Sequence, residues 1–352
     1  MPINRDFVDP DELTSQVRVA LAEMEVNSPN SLARYLPSET LDDIEYEADA
    51  GQGGLIEAAM YRAYDAELPI GMDEALGQLR GRIPSLGQKI PLLEENRLRL
   101  RNDSEDALRS NVERKAKRAA EAVAIAVNVK RGEALANGSL SFVGNNQDFT
   151  VPFGRRADFT TTAAELWSDP AADPIEYLES LADLYETENG FRPEEMLTTS
   201  AVRNAFYRHP KVNAAAWGSD YNAAITRLAP AANVDAMLGQ YNLPTFSTAN
   251  GKVKVRNNDG TNTVKNLIPG DSIIMLPGSG DPAVAGSSSL GSTFWGVTIE
   301  ATRSNWGISE HAGIVAAVHD NDDVPARMWV SAVAIAMPVL VNPNYSLKAK
   351  VI

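Results

Sequence analysis

The longest helical pattern in the chain runs from about Ser104 to Ala136. There Leu108, Val112, Ala116, Ala119, Val123, Ala126 or Val127, and Ala134 recur at spacings near 3.6. One apolar stripe on a helix ~50 Å long, at ~1.5 Å per residue, predicts a spine packed on one side only. Asp103 or Ser104 is placed to cap its start, and Asn137-Gly138 supplies a left-handed stop. Val112, Ala119, Val123 and Ala126 are predicted to face inward, and Glu121 to lie on the open side.

Upstream, apolar periodicity is weak. Residues 1 to about 47 hold helix-like fragments broken by Pro29 and Pro37, with little to make a core, and predict an extended N-terminal arm that packs on something else. From about 48 to 85, Gly51, Gly53, Gly54, Gly71, Gly77 and Gly81 punctuate short alternating segments, the pattern of a long hairpin with few core contacts. A two-stranded hairpin is marginal alone, so it is expected to lie on a neighbour, with Tyr61, Tyr64, Leu68 and Ile70 as its apolar contacts.

Downstream, SLSFVGNNQDFTVPFGR predicts strand, turn, strand around Gly144-Asn145-Asn146. Asp173 and Pro174 open a second helix with Glu176 in the capping-box position, Ile175, Leu178, Leu181, Leu184 and Tyr185 form its face, and Gly190 closes it. MLTT follows as a short buried strand, and Ser200 is placed to cap a third helix stopped by Pro210. This alternation predicts a compact α/β unit starting near residue 166. From about 244 the pattern turns to β: KVKVRNNDGTNTVKNLI alternates around an Asn-Asp-Gly turn, SIIMLPG and TFWGVTIEA are further strands, and ARMWVSAVAIAMPVLV is apolar on both faces, as a central or interface strand would be.

The composition supports a globular protein: 44% hydrophobic residues in 352 can supply a core. No apolar run approaches a membrane span, and the start lacks a leader pattern, so a soluble, cytoplasmically made chain is expected. With no cysteine, disulfides, thiolate nucleophiles and cysteine-ligated zinc are excluded. A net charge of −15 argues against a surface that grips nucleic acid, since phosphate binding needs a basic footprint.

Candidate chemistry is thin. Gly278 to Ala283, GSGDPA, has the letters of a dinucleotide-binding turn, but Pro282 and the Gly/Ser-rich stretch after it cannot start the required helix, so a loop is expected. His209, His311 and His319 lack metal-ligand spacing, and Asp320, Asp322 and Asp323 lack the glycine and distal glutamate of a calcium loop, so a solvated turn is the preferred reading. No G-x-S-x-G elbow occurs. No catalytic, cofactor-binding or metal residue is therefore assigned, and the chain is not read as an enzyme. The basic cluster Arg114, Lys115, Lys117 and Arg118 on the long helix is read as pairing with acidic residues of a neighbour's arm in preference to facing DNA.

Taken in order, the helix ending VKRGEALANGSLSF, the stretch from VPFGRRADFTTTAAELWSDP to FYRHPKV, then PGDSIIMLPG, FWGVTIEA and AVAIAMPVLVNPN resemble the lambda-type major capsid protein E family of tailed bacteriophages, over roughly residues 100 to 345. Trp167, Asp169 and Pro170 stand where that family has a tryptophan and Asp-Pro before a helix. The resemblance implies an α+β Hong Kong 97-like capsid fold. Its parts would be an N-terminal arm at 1–47, an extended E-loop at 48–85, and a P domain at 86–165 with the spine helix at about 104–136. An A domain would follow at 166–324, and a return strand at 325–352 would complete the P domain and the C-terminus. It also implies a virion protein assembling into hexamers and pentamers of an icosahedral head. The implied partners are copies of itself, a scaffolding protein, a portal, a decoration protein where the phage has one, and double-stranded DNA touched weakly. An encapsulin-like nanocompartment is the alternative with the same fold; a soluble β-rich binding or adhesive protein is the alternative of another class.

Overall fold

The computed structural model describes residues 3, 5, 8–50, 77–92, 95, 105–144, 147–218, 227–256, 261–303, 306–308, 311–321 and 327–352. In chain order it begins with helix α1 (Pro10–Asn27), strand β1 (Ser38–Thr40) and a hairpin of β2 (Glu45–Ala50) with β3 (Gly77–Arg82). Strand β4 (Ser85–Leu92) leads to the long helix α2 (Glu105–Asn137) and a second hairpin, β5 (Ser139–Gly144) with β6 (Gln147–Pro152). Then come β7 (Thr160–Thr162), α3 (Pro174–Asn189), β8 (Glu195–Thr198), α4 (Ser200–Arg208), α5 (Pro210–Trp217), α6 (Ala231–Gln240) and β9 (Phe246–Thr248). A third hairpin, β10 (Lys252–Arg256) with β11 (Asn262–Asn266), precedes β12 (Ser272–Leu276), β13 (Gly291–Gly296), β14 (Val315–Asn321), β15 (Arg327–Leu340) and β16 (Leu347–Lys350). Among the described residues no helix is long and apolar enough to cross a membrane.

Two five-stranded sheets organise the chain. In the first, β15 is central: β14 and β4 flank its first half, β13 pairs with its second half, and β1 adds parallel to β13. The second has the order β7-β16-β12-β8-β9. Strand β12, SIIML, is buried along its whole length because it is covered on both sides. Its alternating side chains separate cleanly: Ile273 and Met275 join the cluster under helices α3 to α6, and Ile274 and Leu276 join the cluster at the C-terminal end of α2. Strand β15 divides in the same way, since Met328, Val330, Ala332, Ala334 and Ala336 meet α2, whereas Met337, Val339 and Leu340 meet the junction between the sheets.

The spine helix spans Glu105–Asn137, against 104–136 expected, and Gly138 ends it at φ 62° with its N–H on the Ala134 carbonyl. Asp173 accepts from the Glu176 N–H at 3.2 Å at the start of α3, and Gly190 closes that helix at φ 78°. Several expectations need correction. Part of the segment expected to pack on something else packs on its own chain: α1 buries Leu13, Val17 and Leu21, a stripe at i, i+4, i+8, against α2 and β14, and Leu32, Tyr35 and Leu36 enter the junction cluster. Ala126 is exposed, and Val127 takes the inward position. Ser200 opens α4 without a cap bond of its own; Asn250, fifty residues on, accepts its N–H at 2.8 Å. Past Gly296, VTIEA leaves the sheet and turns, with the Ala301 N–H on the Thr298 carbonyl. The chain after β15 also does more than complete the first sheet, because β16 is the second strand of the other.

Where the two halves meet, Gly132 of α2 lies against the Leu267 carbonyl, so a Cβ at that position would run into backbone that has no rotamer to give. Gly132→Ala is expected to cost about 1–3 kcal/mol through overpacking, despite alanine's better helix propensity. Urea unfolding of the purified chain measures it, and a neutral or stabilising alanine contradicts the contact.

Candidate assembly surfaces

The spine helix carries different chemistry on its two sides. Val112, Ala116, Ala119, Ala120, Val123 and Val127 are buried against the first sheet and α1. Arg114, Lys117 and Arg118 are exposed on the other side, at the spacing expected of one helical face. Lys115 departs from that group: its Nζ reaches across β4 to the Pro91 carbonyl at 3.1 Å, and burial, then the neighbouring Arg114 and Arg118, hold its pKa below the usual lysine range. Among the described residues no carboxylate pairs with Arg114, Lys117 or Arg118, whereas nearby Arg109 bridges Glu12 of α1 and Glu113 of α2. The cluster therefore comprises three exposed cations and one half-buried lysine held by a carbonyl of β4.

Three two-stranded hairpins are separate from the two five-stranded sheets. In β5–β6, Phe142 stacks on Phe149 with centroids 4.9 Å apart, and Lys130 of α2 sits 4.5 Å over the Phe142 ring. That contact joins the hairpin to α2 but leaves Val143 77% and Phe149 39% exposed, apolar surface that the described residues do not cover. In β10–β11 every residue of β11 is exposed, Val264 included. In β2–β3 the strands are stitched by Arg80–Glu47 and Arg82–Glu45 pairs, and Tyr46 is buried against Phe294. Tyr61, Tyr64, Leu68 and Ile70 lie outside the described residues.

Two arginines, one buried and one half-buried and neither expected from the sequence, hold the spine in place. Arg131 is 2% exposed, and its guanidinium meets Glu25 of α1 at 2.7 Å, Ser38 of β1 at 3.0 Å and Thr293 of β13 at 2.8 Å, so one side chain joins four elements. Burial lowers its pKa and Glu25 opposes that shift. Arg155 takes the Leu135 and Ala136 carbonyls at the C-terminal end of α2, at 3.1 and 2.7 Å, together with Ser346 and Thr160. It satisfies acceptors that a helix end leaves open. Burial pushes its pKa down to about 10, still well above neutrality, so the helix end keeps a cation.

The remaining sequence candidates are structural. Gly278 to Ala283 forms a turn in which Asp281 accepts the Ala283 N–H at 2.9 Å, with no helix after it. His209 Nε2 lies 3.0 Å from the Asp169 carbonyl in the second core, and His319 Nε2 lies 2.9 Å from Ser331 Oγ with its ring edge-on to Trp306. Asp322 and Asp323 lie outside the described residues, and among those described no three His, Asp or Glu side chains gather as a metal site.

Comparison with solved structures gives the fold a relative. A prophage protein of Escherichia coli CFT073 assigned as a capsid protein is 14% identical and superposes with a TM-score of 0.61, covering 96% of this chain and 99% of the other. A phage-related protein from Bordetella bronchiseptica RB50, also 14% identical, gives 0.56 over 96% and 95%. The fold is the α+β Hong Kong 97-like capsid fold. A search of curated protein sequences gave no match. The family description "Phage major capsid protein E", in contrast, matches residues 50–351, from the β2–β3 hairpin through the last strand of the second sheet. This chain belongs to the phage major capsid protein E family and is a structural protein of the phage virion.

Proposed function

We propose that copies of this chain close an icosahedral phage head as hexamers and pentamers and enclose double-stranded DNA, with no catalytic step of their own. The observation that carries this reading is exposed apolar surface on two of the two-stranded hairpins, Val143 and Phe149 on β5–β6 and Val264 on β10–β11. A pair of strands alone is marginal in water, so exposed apolar groups such as Val143 and Phe149 gain by burial on a neighbouring copy. On this reading residues 48–85 form the E-loop, with Tyr61, Tyr64, Leu68 and Ile70 lying on a neighbour. Residues 86–165 form the P domain around the spine helix, 166–324 the A domain, and 325–352 the return that ties the two together. Residues 1–47 act from within the subunit, because α1 is part of its core. Arg114, Lys117 and Arg118 meet acidic side chains of an adjacent copy, and a scaffolding protein, a portal and, where present, a decoration protein are the remaining partners. DNA is touched weakly, as suits an acidic wall.

The test is expression of the full chain with and without its scaffold, followed by sedimentation, electron microscopy and nuclease protection. Closed shells of uniform size that protect DNA after packaging support the proposal. A monodisperse monomer under every condition overturns it, and shells that never hold DNA overturn the genome-container part alone.

A further inference from the structure

The β10–β11 hairpin is cationic on a strongly acidic chain. Lys252 and Lys254 share one face of β10, the register places Val264 opposite Lys254 and Asn266 opposite Lys252, and Val264 is 58% exposed. Both lysines are exposed, and among the described residues neither has a carboxylate partner. The complementary pattern lies between β1 and β2. Asp42 and Asp43 are exposed there beside Ile44, which is 46% exposed, and Asp43 turns one oxygen back to the Ile44 N–H at 2.6 Å. The next carboxylates, Glu45 and Glu47, are already taken by Arg82 and Arg80. So one patch offers two unpaired ammonium groups around an apolar side chain, and the other offers two carboxylates beside an apolar side chain. Among the described residues no hydrogen bond or ion pair joins the two patches within one copy.

We infer that the Lys252–Lys254–Val264 face of one copy docks on the Asp42–Asp43–Ile44 turn of a second copy, with Val264 against Ile44 and the charges paired around them. The inference rests on the shell reading for its setting. Two different patches on one chain make a head-to-tail contact, the type that closes rings. The charges supply register and partner choice, and the apolar pair supplies the desolvated centre. DNA is the other candidate for a cationic hairpin, but a groove or strand of phosphates has no use for the exposed valine between the lysines, and two lysines give a small phosphate contribution.

The absence of cysteine from the chain makes the test clean. Lys254→Cys and Asp42→Cys are introduced singly and together into the full chain, and assembled material is treated with a short bis-maleimide and run in denaturing gels. The double variant is expected to give a ladder of covalent multimers, and each single variant a monomer band. Mixing the two single variants should give dimers, which only a contact between copies can produce. In parallel, Lys252→Glu with Lys254→Glu should cut shell yield at least about tenfold, because like charges then face each other at every such contact. Adding Asp42→Lys and Asp43→Lys to the same chain should restore it. Shells that sediment normally but give no ladder overturn this docking and leave the shell reading intact. A ladder without shells supports the docking and removes the shell reading. Reversed lysines that assemble normally but retain less DNA assign the hairpin to nucleic acid and overturn the inference.

Discussion

Replacing Glu25 by alanine is expected to lower the stability of the subunit by about 3–5 kcal/mol, because it leaves the Arg131 guanidinium buried without its counter-charge. The side chains of Arg131 and Glu25 are only 2% and 11% exposed, so solvent neither screens the pair nor rescues the arginine once the carboxylate is gone. The loss does not stay local. Ser38 Oγ donates to Glu25 while accepting from Arg131 and from Trp295 Nε1, so the change also unsettles β1 and the tryptophan beneath it. Urea unfolding of unassembled subunits measures the cost. The companion variant Glu25→Leu with Arg131→Met should recover most of it, since removing both ions together avoids the uncompensated charge. A single Glu25 substitution costing under about 1 kcal/mol would show that Arg131 finds another way to water.

That pair also marks the limit of what the sequence discloses. Glu25 and Arg131 are separated by 106 positions, and nothing local to either distinguishes it from the many surface charges of an acidic chain. The same holds for Arg155, whose role as the cap of α2 depends on the chain returning past Gly138, and for Asn250, which serves Ser200 from the loop between β9 and β10. Elements with a strong local period were legible: the end of the spine at Asn137-Gly138, the α3 cap at Asp173, and the pairing of β10 with β11. Helix α1 was not, because its buried stripe is only Leu13, Val17 and Leu21, and the exposed Val19 and Val26 blur the period. Strand β14 hid for the opposite reason: Val315, Ala316, Ala317 and Val318 are all buried, so no alternation remains to read. The exposed cations of the spine were legible as a group, but Lys115 was not separable from them, since its turn toward Pro91 depends on where β4 lies.

The second large effect tests the spine directly. Val123 is 2% exposed and belongs to the apolar cluster that α2 shares with α1 and the first sheet, so Val123→Asp places a carboxylate in an apolar core. The expected cost is several kcal/mol, enough to leave a marginal subunit largely unfolded. Glu121 is exposed and about 200° away around the helix, so Glu121→Gln should cost less than ~0.5 kcal/mol. The packed positions run 112, 116, 119, 123, 127, and that spacing of four, three, four and four carries the stripe to Val127 and leaves Ala126 on the solvent side. Ala126→Asp is therefore expected to be tolerated, whereas Val127→Asp should behave like Val123→Asp. The four variants are compared by far-ultraviolet dichroism, urea midpoint and the yield of sedimenting shells when expressed with scaffold. Assembly by the Val123 variant at the level of the Glu121 variant would reject the packing of α2 on the first sheet. Loss at 126 in place of 127 would keep the helix but rotate it, turning Arg114 and Arg118 away from the surface on which a neighbouring copy is proposed to meet them.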